Sequence, residues 1–314
     1  MKKLILIVFI LVYQCTIMNA QNNAADTMVT NVFGCSWMPD GKSMIIAVIR
    51  SDKARKLTPV FGIFKLDLAS GQVQLLAKNA HSPSVSPDGK QIAYTKTFTP
   101  GLGGNTDIYI YDVKTGVEKP AVSDTAREGS ASWSPDGKKI VYTVESNRDK
   151  GPANSNLNLW VADLASGKTK CISSTSGHDK TYNPVWAPQG NKIVYYLEKG
   201  DNRDQIYLTD ENGSFHTNLT NDTSTHNYYP SWFGNQIIYT QNPNKIIVMD
   251  DDGKNPSMID GLSSGRAIYN SQTKEIIYGT PGSRQNPSKM MIFDLKTKMS
   301  RPAISQDVLD KLEL

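Results

Sequence analysis

Short apolar runs alternate with polar positions throughout this chain, and turn-forming residues separate the runs. The segment SWSPDGKKIVYTV, residues 132–144, is typical: a short first strand leads into Pro135, Asp136 and Gly137, and an apolar strand follows. Proline presets φ for the second position of a type I turn, Asp is tolerated at the third, and glycine adopts the left-handed conformation that comes next. The segment therefore predicts a β-hairpin.

The hairpin pattern recurs along the chain. Further copies lie at residues 38–48, 86–95 and 187–197, with shortened or eroded copies at 233–240 and 270–280. A second motif, an apolar or aromatic strand running into Asp and a polar turn, follows each hairpin, and its aspartates are 40 to 51 residues apart: Asp67, Asp112, Asp163, Asp210, Asp250 and Asp294. Repeats with room for four short strands pack around an axis, because one such sheet cannot bury both of its faces alone. We predict an all-β, six-bladed β-propeller with four-stranded antiparallel blades over residues 26–305.

Two sets of repeated residues are interpreted as architecture. Aspartates recur once per blade turn, as turn-forming residues do and paired catalytic acids do not. Tryptophans occupy one register of the first strand in four repeats, which is typical of rings wedged between neighbouring sheets: Trp37, Trp133, Trp186 and Trp232. No phosphate-binding glycine loop, paired CxxC, HExxH or EF-hand series is present in the sequence.

The N-terminus predicts export. Lys2 and Lys3 precede an apolar run over residues 4–12, and small and polar residues follow, so residues 1–20 are interpreted as a signal peptide. The run is shorter than the roughly 20 residues that span a bilayer, although an uncleaved anchor remains an alternative. Cys15 leaves lipoprotein acylation open, but Tyr13 and Gln14 before it are bulky for a lipobox. We expect a periplasmic or extracellular protein that is not an integral membrane protein.

Composition narrows the choice of partners only slightly. The chain carries 34 basic and 30 acidic side chains, a balance that indicates neither a nucleic-acid nor a membrane-surface footprint. Cys35 and Cys171 are the cysteines left after cleavage, so no disulfide framework is expected. We expect a monomer.

Three segments lie outside the regular repeat. Residues 98–107 and 145–158 form long connections between the second and third strands of their blades, either as partner-facing surface or as ordinary solvated loops. Residues 306–314 form a short tail in which spaced leucines predict a helix packed on the rim. Residues 28–32 are a candidate for adding to the last blade and closing the ring.

The repeat [Ser/Ala]-Trp-x-Pro-Asp-Gly-Lys-x-Ile-x-Tyr, followed by an aromatic strand ending in Asp, resembles the propeller repeat of the TolB-like family over about residues 30 to 305. The resemblance implies the fold far more strongly than a function, because relatives include binding modules, peptidase propellers and oligogalacturonate lyases. TolB has an α/β domain ahead of its blades; here the first repeat follows closely on the predicted cleavage site, so we expect a propeller without it. The string GLSSG at 261–265 matches G-x-S-x-G, but a strand-like segment follows it, so we expect no hydrolase site.

The main functional hypothesis is a non-catalytic exported propeller that binds a protein or envelope component, either a peptide or a glycan, through the channel mouth and rim loops. Loops that enter the innermost strands converge on one mouth, where polar and aromatic groups suit recognition. The candidate binding residues are Arg127, Glu128, His178, Asp179, Asn183, His226, Asn227 and Tyr228. This hypothesis includes no cofactor.

The alternative is a metal-dependent polysaccharide lyase or hydrolase, since lyase relatives hold a divalent metal with histidines in the channel. His81, His178 and His226 precede first strands and are the candidate ligands of one divalent metal ion. Their offsets from the strands differ, which favours solvated loop histidines.

Overall fold

The computed structural model describes residues 28–52, 58–98, 105–124, 126–146, 155–175, 179–199, 204–222, 224–280 and 289–314. The predicted signal peptide with Cys15, the candidate His178 and most of the segments 98–107 and 145–158 lie outside these residues. Within the described ranges, no helix is long and apolar enough to cross a membrane.

The described residues form strands and one short helix. The first two sheets contain β1 (Met28–Trp37), β2 (Ser43–Asp52), β3 (Val60–Asp67), β4 (Val73–Lys78) and β5 (Ala80–Val85), β6 (Gln91–Thr97), β7 (Thr106–Asp112), β8 (Glu118–Val122). The third contains β9 (Arg127–Trp133), β10 (Lys139–Ser146), β11 (Asn156–Asp163), β12 (Thr169–Cys171), β13 (Lys180–Trp186), β14 (Lys192–Glu198), β15 (Gln205–Asp210), β16 (Thr217–Asn218). The last two contain β17 (Asn227–Phe233), β18 (Gln236–Gln241), β19 (Lys245–Met249), β20 (Ser257–Ser263) and β21 (Ala267–Asn270), β22 (Glu275–Gly279), β23 (Met290–Asp294), β24 (Ser300–Pro302), before helix α1 (Gln306–Asp310).

The all-β propeller fold with four-stranded antiparallel blades is confirmed, but six separate blades are not observed. Four sheets have four strands each, and the remaining sheet, β9 to β16, has eight. A single parallel pair, Leu157 with Lys180, joins its two antiparallel halves. The Thr181 hydroxyl donates to the Leu157 carbonyl at 2.8 Å, which holds the start of β13 against β11. Two of the six predicted blades are therefore joined into one sheet at this junction.

The innermost strand of each repeat surrounds one central cavity, lined by residues from β1, β5, β9, β13, β17 and the start of β21. The tryptophans lie where these strands meet, as predicted. The indole N–H of Trp133 donates to the Ser84 carbonyl at 2.9 Å, and that of Trp232 to the Val185 carbonyl at 3.0 Å, in each case on the preceding first strand. Trp186 differs, since it donates to Gly190 in its own turn at 3.4 Å. The rings thus connect successive first strands as well as filling space.

Apolar clusters fill the spaces between successive sheets, which explains the continuous apolar runs of the second strands. In β2, Ile45 and Ala47 pack against the second sheet, whereas Met44, Ile46 and Val48 pack against the last sheet. Successive side chains of a strand point to opposite faces. A strand covered on both faces therefore needs apolar residues at consecutive positions.

The ring closes through packing and the C-terminal tail. In the described residues β1 pairs with β2 from Met28 onward and adds to no other sheet, so the suggested strand exchange at residues 28–32 is wrong. Leu309 of α1 is buried between the first and last sheets. The Arg50 guanidinium donates to the carbonyls of Asp310 and Leu312 at 3.1 and 3.2 Å, so the tail is held by hydrogen bonds as well as by apolar contact.

Candidate functional site

The two ends of the propeller differ in how their connections are built. At one end, here called the turn face, tight turns follow the first and third strands; Gly89 and Gly137 adopt φ of 71° and 68° there. At the other end, here called the loop face, the first strands begin and the second strands end, since Met28 pairs with Asp52. Candidates at the starts of β9, β13 and β17 therefore share the loop face, as the prediction of one mouth requires.

The turn-face aspartates are occupied by their own turns. Asp88 and Asp136 each accept the backbone N–H two residues later, at 3.0 and 3.1 Å, and the hydroxyl of the serine two residues earlier. Hydrogen bonds from that backbone N–H and that serine hydroxyl lower the pKa of both carboxyl groups. This supports the architectural interpretation, because a carboxylate engaged by its own turn is a poor proton carrier.

The central cavity has a volume of about 120 Å³ and is lined mainly by small polar side chains. Ser82, Ser130 and Asn183 line it in the left-handed conformation, with φ of 51°, 53° and 45°. Each lies at an irregularity in the pairing of its first strand with the second. Such backbone costs roughly 1 kcal/mol or more for a non-glycine residue. Sequence reasoning missed these bulges; their signal is a small or amide residue three positions before the first-strand Trp or Val.

Arg266 is the one charged side chain lining this cavity among the described residues. Cys35 lines it too, and burial raises the pKa of its thiol to about 11 against the opposing effect of Arg266, so the thiol is neutral. Of the predicted binding residues, Asn183 is the one that lines the cavity. The motif search did not single out Arg266, because its position depends on how the last sheet packs beside the first.

A second cavity of about 300 Å³ opens on the loop face beside the channel. This polar pocket is lined by His81, Arg127, Glu128, Glu145, Lys180 and Tyr182, together with threonines and small residues. The Arg127 guanidinium lies 3.5 Å from the Glu145 carboxylate, so its charge is partly compensated. The pocket brings together His81, Arg127 and Glu128, which sequence reasoning had placed only in the same class of loop.

Glu128, one of the predicted binding residues, is buried. The residue is only 1% exposed, and no described N–H or O–H donates to either carboxylate oxygen. Burial, with the neighbouring carboxylates of Asp124 and Asp107, raises the pKa of Glu128 to about 9. The group is therefore protonated at neutral pH.

His81 is likewise held uncharged. Its ring contacts Phe33 and Phe61, with centroid distances of 6.2 and 6.1 Å, and Nδ1 lies 3.1 Å from the Ser82 hydroxyl. Burial and the nearby Arg127 charge lower the pKa of His81 to about 4. Phe33, Phe61 and His81 form an aromatic patch in which Phe33 is 43% exposed.

Tyrosines continue the aromatic surface on β13, β14 and β17. Tyr182 stacks on Tyr196 with centroids 5.1 Å apart, Tyr229 meets Tyr196 edge-on at 5.8 Å, and Tyr228 meets Tyr229 at 5.0 Å. These four residues are called the tyrosine row. Tyr228 was a predicted binding residue; its neighbours could be found in sequence only by knowing which strands adjoin.

The remaining candidates lie close to the tyrosine row. His226 Nδ1 is 3.0 Å from the Asp204 carboxylate. Asn227 is fully buried; its amide oxygen accepts from Gln241 at 3.3 Å, and its amide nitrogen has no acceptor in the described residues. Asp179 immediately precedes β13. Asn227 therefore belongs to the interior of its sheet rather than to an open mouth.

The three-histidine metal site is not assembled from the residues described. His81 lies in the aromatic patch, His226 pairs with Asp204, and His178 is outside the described ranges. In the described part of the chain, no group of three His, Cys, Asp or Glu side chains is arranged to hold a metal ion. The metal-dependent alternative stays a prediction.

Comparison with known proteins identifies relatives in two ways, although no family model matches the chain. The Tol-Pal system protein TolB of Francisella tularensis subsp. tularensis (strain WY96-3418) is 27% identical over 247 residues, covering 75% of this chain and 52% of that protein. The chain thus spans about half the length of the curated relatives it matches.

Solved structures share the fold. TolB from Acinetobacter baumannii superposes with a TM-score of 0.64 at 19% identity, covering 83% of this chain and 63% of that one. An oligogalacturonate lyase in complex with manganese superposes with a TM-score of 0.63 at 15% identity, covering 89% and 79%. At these identities the superpositions establish the propeller fold alone.

Proposed function

Because this chain belongs to the TolB-like β-propeller family, we propose that it is a non-catalytic propeller that binds a protein or another component of the cell envelope on its loop face. The observation that carries the proposal is the concentration of partly exposed aromatic side chains around the polar pocket. Phe33, which contacts the pocket residue His81, is 43% exposed, and Tyr182 of the tyrosine row lines the pocket. Aromatic residues and arginine are enriched at protein interfaces and their energetic centres.

The turn face offers a weaker binding surface. Its exposed large apolar side chains, Val117, Phe215, Met258 and Met299, lie singly on different sheets. Single exposed apolar residues are normal on soluble proteins and indicate no interface. The asymmetry between the two faces therefore favours binding at the loop face, through the aromatic patch and the tyrosine row.

We also propose that the ring functions as six sectors, with the eight-stranded sheet acting as two blades. Each of its halves has the strand order of the separate sheets. A buried cluster including Val141, Leu159 and Trp186 fills the space between the halves, as other clusters do between separate sheets. The single parallel pair at Leu157 is then a contact between blades.

Location follows from the predicted signal peptide. We propose that the protein is exported to the periplasm or beyond the cell. Lipid attachment through Cys15 is an alternative that would also leave the protein outside the cytoplasm. An envelope partner is then accessible to the loop face. Nucleic acid is not proposed as a partner, since the basic and acidic side chains nearly balance.

Partner capture from envelope extracts of the native cell tests the binding role. The full chain is compared with a Phe33→Ser, Tyr228→Ala double variant and with a matched turn-face control, Met258→Ser, Met299→Ser. We expect the loop-face variant to lose about tenfold or more of the captured partner, because truncating aromatic anchors removes most of the energy of an interface. The turn-face control should retain it. Equal recovery by both double variants would contradict the proposal.

A further inference from the structure

The central cavity is rich in hydrogen-bond donors. The Ser36 hydroxyl oxygen accepts the backbone N–H of Val85 at 3.0 Å, and that of Ser132 accepts the backbone N–H of Trp186 at 3.0 Å. A hydroxyl that accepts in this way keeps its own O–H for another partner. Ser84, Ser130 and Ser231 also line the cavity, and none of them has a side-chain hydrogen bond among the described residues.

Charge in the cavity has one sign. Arg266 lines it, and no Asp, Glu, Lys or His does so within the described part of the chain. No described carboxylate lies within ion-pairing distance of the Arg266 guanidinium. The neighbouring Cys35 thiol is neutral, because burial raises its pKa. A guanidinium without a counter-charge, surrounded by hydroxyl donors, attracts an anion and disfavours a cation.

Shape and size restrict the anion. A guanidinium presents parallel N–H groups that match the two oxygens of a carboxylate. The cavity volume of about 120 Å³ corresponds to roughly four water molecules. A carboxylate with one or two further carbons fits this volume.

We propose that the central cavity is a carboxylate-binding subsite, in which Arg266 takes the carboxylate and hydroxyls of the lining serines donate to it. If the carboxylate belongs to the binding partner, as an acidic side chain or a C-terminus, the inference rests on the proposed function. It also holds for a small free carboxylate. The left-handed bulges at Ser82, Ser130 and Asn183 form part of the wall of this subsite.

Binding of acetate to the purified full chain tests the subsite without any partner. The side-chain Nε–H signals of arginine are followed by NMR during titration with acetate and, separately, with its neutral isostere acetamide. We expect a saturable shift of the Arg266 signal with acetate and none with acetamide. An equal response to both ligands overturns the inference.

Variants separate the role of Arg266 from general effects of charge. Arg266→Met should weaken acetate binding about tenfold or more, and Arg266→Lys should retain part of it because the charge remains. The matched control is Arg301→Met, which removes an exposed arginine paired with Glu275 and should leave acetate binding unchanged. Thermal unfolding of each variant reports whether it is folded. Acetate binding that survives in folded Arg266→Met overturns the inference.

A pair of peptide ligands distinguishes the source of the carboxylate. An acidic-ended peptide with a free C-terminus is compared with the same peptide as its C-terminal amide, in competition with acetate. Displacement of acetate by the free acid alone assigns the site to a chain terminus, and displacement by both assigns it to an acidic side chain. Failure to bind any carboxylate, with partner capture intact, overturns this inference and leaves the proposed function standing. If acetate binds but the protein captures no envelope partner, the carboxylate subsite is supported and the proposed function is contradicted.

Discussion

The loop face and the turn face are built from the same strands, yet their polar groups are treated in opposite ways. On the turn face, Asp88 and Asp136 are satisfied by backbone and serine donors of their own turns. Toward the loop face, Glu128, Thr95 and Asn227 keep buried polar atoms without partners in the described residues, whereas on the turn face the Asn270 amide nitrogen is the one such atom there. Unsatisfied buried groups destabilise a fold by about 1–3 kcal/mol each. The contrast shows that the turn face maintains the ring, whereas the loop face carries features that differ from blade to blade.

The largest expected effect on stability lies at the junction of first strands rather than on the loop face. Trp133→Ala should lower the free energy of unfolding by about 3–5 kcal/mol, because it leaves a cavity between sheets and an unpaired Ser84 carbonyl. Urea unfolding followed by circular dichroism measures this loss. Phe33→Ala on the loop face serves as control and should cost about 1 kcal/mol or less, since that ring is partly exposed. Similar losses in both variants would break the distinction between the two regions.

The stability of the protein should also depend on pH, through Glu128 on the loop face. The pKa of Glu128 is raised from 4.5 to about 9, so the unfolded chain releases this proton at lower pH than the folded chain does. The stability of the wild type should therefore fall as pH rises from about 4.5, with the loss complete near 9, by at most about 1.4 kcal/mol per pH unit. Glu128→Gln cannot ionise, so its stability relative to the wild type should increase across this pH range and be greatest near pH 9.

Thermal unfolding of both proteins between pH 4 and pH 9 checks this. Glu145→Gln provides the matched control, because it removes a neighbouring carboxylate that is paired with Arg127 and partly exposed. We expect that control to keep the wild-type slope. A Glu128→Gln variant with the same pH slope as the wild type would show that Glu128 is already ionised in the folded protein.

Sequence reasoning predicted the order of the strands and the turns, but it predicted the candidate site only in outline. The common loop-face position of Arg127, Asp179 and His226 follows from strand order and was foreseen. The raised pKa of Glu128 was not, because it depends on burial and on the carboxylates of Asp124, in the connection before β9, and Asp107, in the neighbouring sheet. The tyrosine row was also missed beyond Tyr228, since its rings come from three strands whose adjacency is set by the packing of two units.

What the chain determined by itself is the repeating unit. The Pro-Asp-Gly turns rest on interactions within a few residues, and the apolar second strands and the tryptophans recur at regular positions, so the sequence alone is sufficient to predict them. Only the tertiary structure decided that β11 and β13 pair at Leu157 and that Leu309 packs between the first and last sheets. It also decided that Arg266 is the one charged side chain among the described residues that line the central cavity. These features depend on contacts between sheets that are distant in sequence. Such contacts do not recur from repeat to repeat, so no repeated sequence pattern reveals them.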